Sequence, residues 1–507
     1  MSFQLFAPDP VIEQRLKSLE RHLKDENPIL IEVVASFRKL DKVAYRLGYL
    51  KRDQSYATMI PWWPLISILG TFSAGKSTFI NHYLGHKLQT SGNQAVDDKF
   101  TVICHSKGEQ VHVLPGLSLD ADPRFPFYQI SEDIERVSGG EGRRVDAYLQ
   151  LKTCPSDRLK GKIIIDSPGF DADEQRTSTL KITEHIINLS DLVLVFFDAR
   201  HPEPGAMHDT LEHLVANTIH RTDSNKFLYI LNQIDTTARE DNPEEVFGAW
   251  QRAIAQKGLT AGRFYTIYSP EVSVPIEDDA LRERFESKRD ADLSDLHERI
   301  QQVEVERSYR IVGALEKSAA EFNERIVPIL TSALERWRRN TLILDGLFFG
   351  SLLALFLLLS IQFDWWNGLT FSAPWYESLT NSPLLKTVVG LAGAGLGVYF
   401  HFWLRKLARK PVIKWLKKKA NSTDEAARLE GAFMRSSAVW RSLFSQTPAG
   451  WGRRAKKDIS MLINDTDRFV QQLNDRFASP SGALERVTLQ KAPADLHEIN
   501  QTVSQER

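Results

Sequence analysis

Two long apolar stretches dominate the hydrophobic pattern of the second half of the chain. Residues 346–363 carry no formal charge, and residues 387–404 carry none apart from His401. Each makes a helix of about 27 Å, close to the thickness of a bilayer core. The first is apolar on every face, unlike a half-buried helix with its polar stripe. The pattern predicts a two-pass transmembrane hairpin over residues 341–404, with a buried hairpin in a soluble domain as the alternative.

The flanks of both stretches carry the residues expected at a membrane surface. The aromatic ones are Trp337, Trp365, Trp366, Trp375, Tyr376 and Trp403. The basic ones are Arg336, Arg338, Arg339, Arg405, Lys406, Arg409, Lys410, Lys414, Lys417, Lys418 and Lys419. The connecting loop, 364–386, holds only Lys386 as a basic residue. By the positive-inside rule both termini are cytoplasmic, at the inner or plasma membrane if the protein is bacterial. The basic cluster suits anionic lipid headgroups.

Small residues line one face of the second stretch, where Gly393 and Gly397 form G-x-x-x-G. Such a face lets another helix approach closely. We expect it to pack against the first stretch of the same hairpin, with a second subunit as the alternative partner.

Apolar residues at helical spacing predict a helical bundle on both sides of the hairpin. They occur over residues 11–52, with a break at Asn27-Pro28, and over residues 290–336. Residues 423–446 and 452–477 are predicted to form two more helices. Arg307 and Arg310 interrupt the stripe of the second segment.

A glycine-rich turn follows the first of several short apolar runs that predict buried strands. Residues 66–78 read Ile-Ser-Ile-Leu-Gly-Thr-Phe-Ser-Ala-Gly-Lys-Ser-Thr, a strand leading through G-x-x-x-x-G-K-S into a helix. This order predicts a phosphate-binding loop, in which Lys76 reaches the β- and γ-phosphates and Ser77 ligates Mg²⁺. The expected nucleotide-binding residues are Gly70, Thr71, Phe72, Ser73, Ala74, Gly75, Lys76, Ser77 and Thr78.

Two further strand ends carry polar residues in the order of a guanine-nucleotide fold. The run 163–166 ends in Asp-x-x-Gly, so that Asp166 can hold Mg²⁺ through water and the Gly169 N–H can meet a γ-phosphate. The run 228–235 ends in Asn-x-x-Asp, where Asp235 can accept from guanine while Asn232 braces the loop. Together the motifs predict an α/β P-loop GTPase domain, with a mixed sheet flanked by helices.

These motifs resemble the dynamin superfamily of large GTPases, and above all its EHD branch. Besides the phosphate loop, the likeness rests on Asp-Ala-Asp-Pro-Arg-Phe-Pro-Phe at 120–127, Asp-Ser-Pro-Gly running to Gln-Arg at 166–176, and Val-Phe-Phe-Asp-Ala at 195–199. It covers roughly residues 30–330. The resemblance implies GTP hydrolysis with Mg²⁺, catalytic roles for Ser73 and Lys76, and self-association through nucleotide domains and a helical stalk.

Some positions depart from the family pattern. The switch-I threonine falls at Val96 or Asp97, and Gln233 stands where lysine is usual beside the base. EHD proteins resemble dynamins yet prefer ATP, so ATP is the alternative nucleotide. The presence of both Asn232 and Asp235 favours GTP.

Composition narrows the remaining function classes. A chain of 507 residues allows about three domains, and a net charge of −1 gives no case for nucleic-acid binding. Cys104 and Cys154 lack metal-ligand spacing, which favours a reducing compartment. The start of the chain lacks the basic and long apolar regions of a signal peptide.

The expected organisation has five segments. These are an N-terminal helical segment (1–60), a dynamin-type GTPase domain (61–282), a helical stalk segment (283–340), the transmembrane hairpin (341–404) and a basic, helical C-terminal region (405–507). Two functions compete: a membrane-anchored GTPase that remodels, tethers or fuses bilayers, and a nucleotide-dependent membrane scaffold with little hydrolysis that recruits partners.

Overall fold

The structure, a computed structural model, forms two compact units. The described residues are 7–71, 73–89, 99–108, 110–121, 124–125, 145–169, 177–200, 224–239, 243–256, 263–270, 273 and 275–477. We call residues 7–13, 35–57 and 314–467 the helical unit. The sheet unit comprises the described residues within 14–34, 58–313 and 468–477.

Helices make up most of the described chain. In chain order they are α1 Pro10–Glu26, α2 Ile29–Leu47, α3 Tyr56–Met59, α4 Lys76–Leu84, α5 Ser118–Ala121, α6 Val145–Tyr148, α7 Thr177–Leu189, α8 Pro243–Gln256, α9 Asp279–Glu321, α10 Val327–Gln362, α11 Pro374–Asn381, α12 Pro383–Lys419, α13 Thr423–Ser436 and α14 Arg453–Phe477. A π-helical turn, Phe322–Ile326, joins α9 to α10. The break predicted at Asn27-Pro28 separates α1 from α2.

An eight-stranded mixed sheet forms the centre of the sheet unit, in the order β3-β4-β2-β5-β1-β6-β7-β8. The strands are β1 Leu65–Gly70, β2 Phe100–His105, β3 His112–Pro115, β4 Leu149–Cys154, β5 Ile163–Asp166, β6 Leu192–Asp198, β7 Phe227–Asn232 and β8 Arg263–Ile267. Strands β5, β1, β6, β7 and β8 are mutually parallel, and β2 runs antiparallel to β5. The central strands are buried along their whole length, as their uninterrupted apolar sequences require. The predicted fold class is confirmed.

The first half of α9 packs on the sheet. Leu296, Ile300 and Val303 are buried in the same core as the strand residues Ile66 and Ile164. The sequence predicts that residues 283–340 form a helical stalk segment. In the structure, the part of this segment up to residue 313 belongs to the sheet unit. The reason is that the apolar stripe of α9 covers the sheet.

Two arginines interrupt that stripe because they pair with a strand-end carboxylate. Arg307 and Arg310 reach an oxygen of Asp191 at 3.0 and 2.8 Å. The other oxygen of Asp191 accepts from the backbone N–H of Leu65 at 2.9 Å. Asp191 therefore ties α9 to the start of β1.

In the helical unit, Trp337 of α10 lies at the centre of the core. Its indole Nε1–H donates to the carbonyl of Arg405 at 3.1 Å, and its ring lies 6.4 Å from that of Phe433 in an edge-on contact. The guanidinium of Arg405 lies 5.0 Å from the same ring. Helices α10, α12 and α13 therefore meet at this one side chain.

Two helices, α10 and α12, are long and apolar enough to cross a membrane. They pack antiparallel, with Phe348 and Phe400 ring centres 5.0 Å apart and His401 Nδ1 2.8 Å from an oxygen of Asp345. No residue in the most apolar 18-residue stretch of the first helix is buried. The alternative of a hairpin buried in a soluble domain disagrees with this exposure.

The connection between the two helices forms an aromatic cluster. It contains a short antiparallel pair, β9 Trp366–Asn367 and β10 Thr370–Phe371. The Phe371 ring lies 5.3 to 6.2 Å from those of Trp365, Trp366, Trp375 and Tyr376. Such a cluster is typical of a membrane–water interface.

The small-residue face of α12 does not pack as expected. A Cβ placed on Gly390, Gly393, Gly395 or Gly397 would meet nothing within 4 Å. The glycines themselves therefore do not pack against α10 as expected. Phe400 and His401, one to two turns further along the same face, form the contact with α10 instead.

Helix α13 ends at Ser436, earlier than the predicted residue 446. The Ser437 N–H closes the last turn on the Phe433 carbonyl, and the Arg441 N–H then closes a separate turn on Ala438. Residues 437–452 therefore form an irregular loop between α13 and α14, which we call the 437–452 loop.

A buried carboxyl in the helical unit predicts how stability responds to pH. Asp41 accepts from Ser55 Oγ at 2.5 Å and from the Tyr56 N–H at 2.8 Å. Burial nevertheless raises the pKa of Asp41 from 3.8 to about 7. The folded protein thus keeps this proton where the unfolded chain has lost it, so stability falls as pH rises from about 4 to about 7, by at most about 1.4 kcal/mol per pH unit.

We expect Asp41→Asn to remove this slope, because the amide keeps the hydrogen bonds without titrating. The measurement is thermal unfolding in detergent between pH 5 and 8. Asp53→Asn, at an exposed position of the same unit, is the matched control and should retain the wild-type slope. Parallel curves for wild type and Asp41→Asn would contradict a raised pKa.

Candidate functional site

The site lies where parallel strands end at one edge of the sheet. In the register, Asp166 at the end of β5 lies beside Ile68 of β1, and Asn232 at the end of β7 lies beside Asp198 of β6. In open α/β sheets this edge is where ligands bind. The loops after β1, β5 and β7 are therefore neighbours.

The loop after β1 requires glycine at two positions. A Cβ on Gly70 would lie 2.7 Å from the carbonyl oxygen of Phe196 on β6. Gly75 has a φ of +82°, and a Cβ there would lie 2.1 Å from the side-chain nitrogen of Asn232. Ser73 also has a positive φ, of 59°. The loop thus curls tightly, with a second loop pressed against it.

Lys76 begins helix α4 and lies within the curl. Its ammonium donates to the carbonyls of Gly70 and Thr71 at 2.9 and 3.0 Å. Ser77 and Thr78 follow in the first turn, partly exposed. Backbone N–H groups at a helix start and one lysine form a site suited to phosphate.

The loop after β7 holds the phosphate loop through two side-chain amides. Asn232 Nδ2 donates to the Ala74 carbonyl at 2.9 Å, and Gln233 Nε2 donates to the Ser73 carbonyl at 2.6 Å. Gln233 adopts a φ of +62°. The sequence marked Gln233 only as a missing lysine, whereas the structure gives it a bracing contact.

Asp235 is buried in the 3₁₀ helix Ile234–Arg239 that follows β7. Its charge reaches Arg200 after β6: the pKa of this arginine is raised, mainly by hydrogen bonding to Asp198 and to a smaller extent by Asp235. A buried carboxylate at this point is suited to accept two hydrogen bonds from a guanine edge.

Asp166 belongs to a buried polar cluster that the sequence did not reveal. Its Oδ2 accepts from Gln89 Nε2 at 2.6 Å, and Gln89 Oε1 accepts from Lys152 Nζ. Asn81 on α4 holds the backbone of residues 88 and 89 through three hydrogen bonds. A glutamine outside every motif thus links α4 to the expected metal-binding carboxylate.

The residues present fit a nucleotide with Mg²⁺. Mg²⁺ is normally held by one or two carboxylates together with phosphate oxygens, and Ser77 and Asp166 supply a hydroxyl and a carboxylate. Among the described residues no three His, Cys, Asp or Glu form a metal cluster. The buried Ser167 hydroxyl, next to Asp166, has no hydrogen-bond partner in the described part of the chain and is available to a ligand.

Some predicted positions lie outside the described residues. These are Phe72, the switch-I positions Val96 and Asp97, and the segment from Phe170 to Arg176. Gly169 is described and exposed directly after β5. Arg124 and Phe125, from the segment at 120–127, are also described, and Arg124 donates to the His105 carbonyl at 2.7 Å.

Comparison with known proteins agrees with this geometry. Residues 66–234 match the model of the dynamin family. EH domain-containing protein 1 of Homo sapiens is 29% identical over 146 residues, which cover 27% of this chain and 25% of that protein. EH domain-containing protein 1 of Arabidopsis thaliana is 24% identical over 245 residues, covering 46% and 42%. The chain thus matches less than half the length of these relatives.

Among solved structures, one similar chain comes from a study of an oligomerised bacterial dynamin pair, described as a mechanism for long-range sensing and tethering of membranes. The alignment covers 98% of this chain and 78% of that one, at 12% identity and a TM-score of 0.31.

Residues 66–234 thus form the part of this chain that matches the dynamin family. The family match spans the strands and loops that carry the phosphate loop, Asp166 and Asn232. EHD proteins, the branch that the sequence motifs resemble most, are among the relatives of this region.

The close approach at Gly75 predicts a specific defect. We expect Gly75→Ala to weaken GTP binding roughly tenfold or more, because the methyl group displaces the Asn232 amide and strains a positive φ, at about 1 kcal/mol each. The measurement is titration with a fluorescent GTP analogue.

Gly85→Ala is the matched control, since Gly85 ends the same helix at a φ of +68° with nothing within 4 Å of a Cβ. It should lose stability and keep affinity. Equal affinities for both variants would remove the steric argument.

Proposed function

We propose that this protein is a membrane-anchored GTPase that binds and hydrolyses GTP and self-associates to remodel, tether or fuse membranes. The observation that carries the proposal is the presence, in one chain, of a dynamin-family phosphate loop and two exposed helices of membrane length. Since the matched relatives share only part of their length with this chain, its activity rests on its own residues.

Each of the described site residues has its own role in binding or hydrolysing the nucleotide. Lys76 and the N–H groups of the loop neutralise the phosphates, and Ser77 and Asp166 hold Mg²⁺, which offsets charge developing on the phosphates. Asp235 selects guanine, and Asn232 with Gln233 keeps the loop in shape. By resemblance, Ser73 takes part in catalysis from the phosphate loop.

Membrane insertion follows from the cost of exposing so much apolar surface to water. Leu353, Leu358 and Leu391 are 59%, 66% and 70% exposed. Transfer into lipid stabilises each such side chain by about 1.5 to 3 kcal/mol when fully buried. The distribution of basic residues then leaves both termini in the cytoplasm, next to anionic headgroups.

Self-association is part of the proposal for a structural reason. The open glycine face of α12 allows close approach of another helix, as G-x-x-x-G faces do in lipid. We therefore infer a homo-oligomer, with further contacts through the nucleotide domains and stalk as the family resemblance implies.

A second function, a nucleotide-dependent membrane scaffold that recruits partners, is favoured by one feature. The switch-I position where a threonine would close over Mg²⁺ falls at Val96 or Asp97. Without that hydroxyl, GTP binding would persist while hydrolysis is slow.

Hydrolysis by the liposome-reconstituted protein separates these functions. We expect GTP turnover that rises with protein concentration, little ATP turnover, and loss of activity in Lys76→Ala. Asp235→Asn should lower GTP affinity about ten- to a hundredfold, since a charge-assisted hydrogen bond contributes about 1.5 to 3 kcal/mol, and should favour xanthosine triphosphate.

Tight GTP binding without turnover would favour the scaffold. Stronger binding of ATP than of GTP by the wild type would refute the guanine assignment. Equal binding by wild type and Lys76→Ala would refute the phosphate-loop role.

Topology is tested by cysteine labelling in a variant lacking Cys104 and Cys154. Asn367→Cys should react with an impermeant reagent added outside cells, and Ser460→Cys only after the membrane is opened. Both positions are exposed, so side-chain burial does not limit the reaction. The protein should also resist carbonate extraction. Labelling of both cysteines from outside, or extraction by carbonate, would rule out the two-pass hairpin.

A further inference from the structure

Two large aromatic side chains project from the 437–452 loop with almost no covering. Trp440 is 87% exposed and Phe444 is 66% exposed, and their neighbour Val439 is half-exposed. Adjacent loop residues are well held: Leu443, Ala449 and Trp451 are buried. A fixed loop that presents aromatic rings to solvent is typical of an interaction surface.

The position of the loop indicates what its aromatic side chains contact. Helix α13 runs back along α12, and Arg409 of α12 donates to the Ser437 carbonyl at the start of the loop. Arg405 donates to the Arg441 carbonyl at 2.9 Å. Arg405 is the first residue after the second apolar stretch, so the loop lies level with the end of that stretch.

The first apolar stretch begins at a similar level. Trp337, which precedes it on α10, donates to the Arg405 carbonyl and packs against Phe433 in the last turn of α13. The start of the first apolar stretch and the end of the second therefore both lie next to the loop.

The dimensions of a bilayer place the 437–452 loop at the depth of the lipid headgroups. Residues 405–409 extend about 6 Å along α12 beyond the apolar stretch. The polar interfacial layer of one leaflet is about 5 to 8 Å thick. Trp440 and Phe444 thus lie at the depth where tryptophan and other aromatic rings are enriched. Lys406 and Lys410 are exposed at the same level, which suits lipid phosphates.

We propose that the 437–452 loop is a third membrane contact, in which Trp440 and Phe444 enter the headgroup region of the cytoplasmic leaflet beside the hairpin. This inference rests on the proposed two-pass hairpin. Its consequence is mechanical: with Arg405 and Arg409 holding the loop to α12, the inserted rings restrict tilting of the helical unit against the membrane.

The test uses an environment-sensitive fluorophore on single cysteines in the variant lacking Cys104 and Cys154. The sites are Trp440→Cys and Phe444→Cys, with Leu353→Cys as the span control. Met461→Cys, on an exposed part of α14, is the control outside the membrane. The protein is reconstituted in vesicles of phosphatidylcholine and phosphatidylglycerol that carry nitroxides at either headgroup or mid-acyl depth.

We expect a blue shift and a loss of fluorescence to headgroup nitroxides at positions 440 and 444, quenching by mid-acyl nitroxides at position 353, and neither effect at 461. Quenching at 353 without quenching at 440 and 444 would overturn the loop contact while keeping the hairpin. No quenching at 353 would overturn the hairpin, and the loop contact with it. A blue shift in detergent that grows with protein concentration would assign the loop to a second copy of the chain.

Discussion

The contact between the loop after β7 and the phosphate loop is the constraint on which the nucleotide site depends. Asn232 and Gln233 donate to two successive carbonyls, at Ala74 and Ser73, and so hold the backbone of the phosphate loop in place. The contact needs Gly75, because the amide of Asn232 occupies the space of any Cβ there. The loop expected to read the base thereby also shapes the loop that holds the phosphates.

Side-chain amides also position the carboxylate expected to bind Mg²⁺. Asp166 takes its position from the end of β5, and Gln89 orients one of its oxygens. Gln89 in turn is fixed by Asn81 of α4, directly downstream of the phosphate loop. Two amide side chains, Asn81 and Gln89, therefore connect α4 with the carboxylate.

The helical unit has a different constraint, since it contains two helices with largely apolar, exposed surfaces. Trp337 and Arg405 join α10, α12 and α13 at the point where the apolar stretches begin. The glycine face of α12 stays open because bulkier residues make the hairpin contact. Packing within one chain thus leaves surface for lipid or for another copy.

The sequence alone determined what depends on local order: the strand–loop–helix of the phosphate loop, the polar strand ends at Asp166 and Asn232, the helix break at Asn27, and the two charge-free stretches. Tertiary structure decided whatever depends on distant partners. The stripe of α9 covers the sheet, Arg307 and Arg310 meet Asp191, Gln89 meets Asp166, and the glycine face remains open. The physical reason is that periodicity and spacing report which residues share a face, whereas burial and hydrogen bonding depend on which other element covers that face.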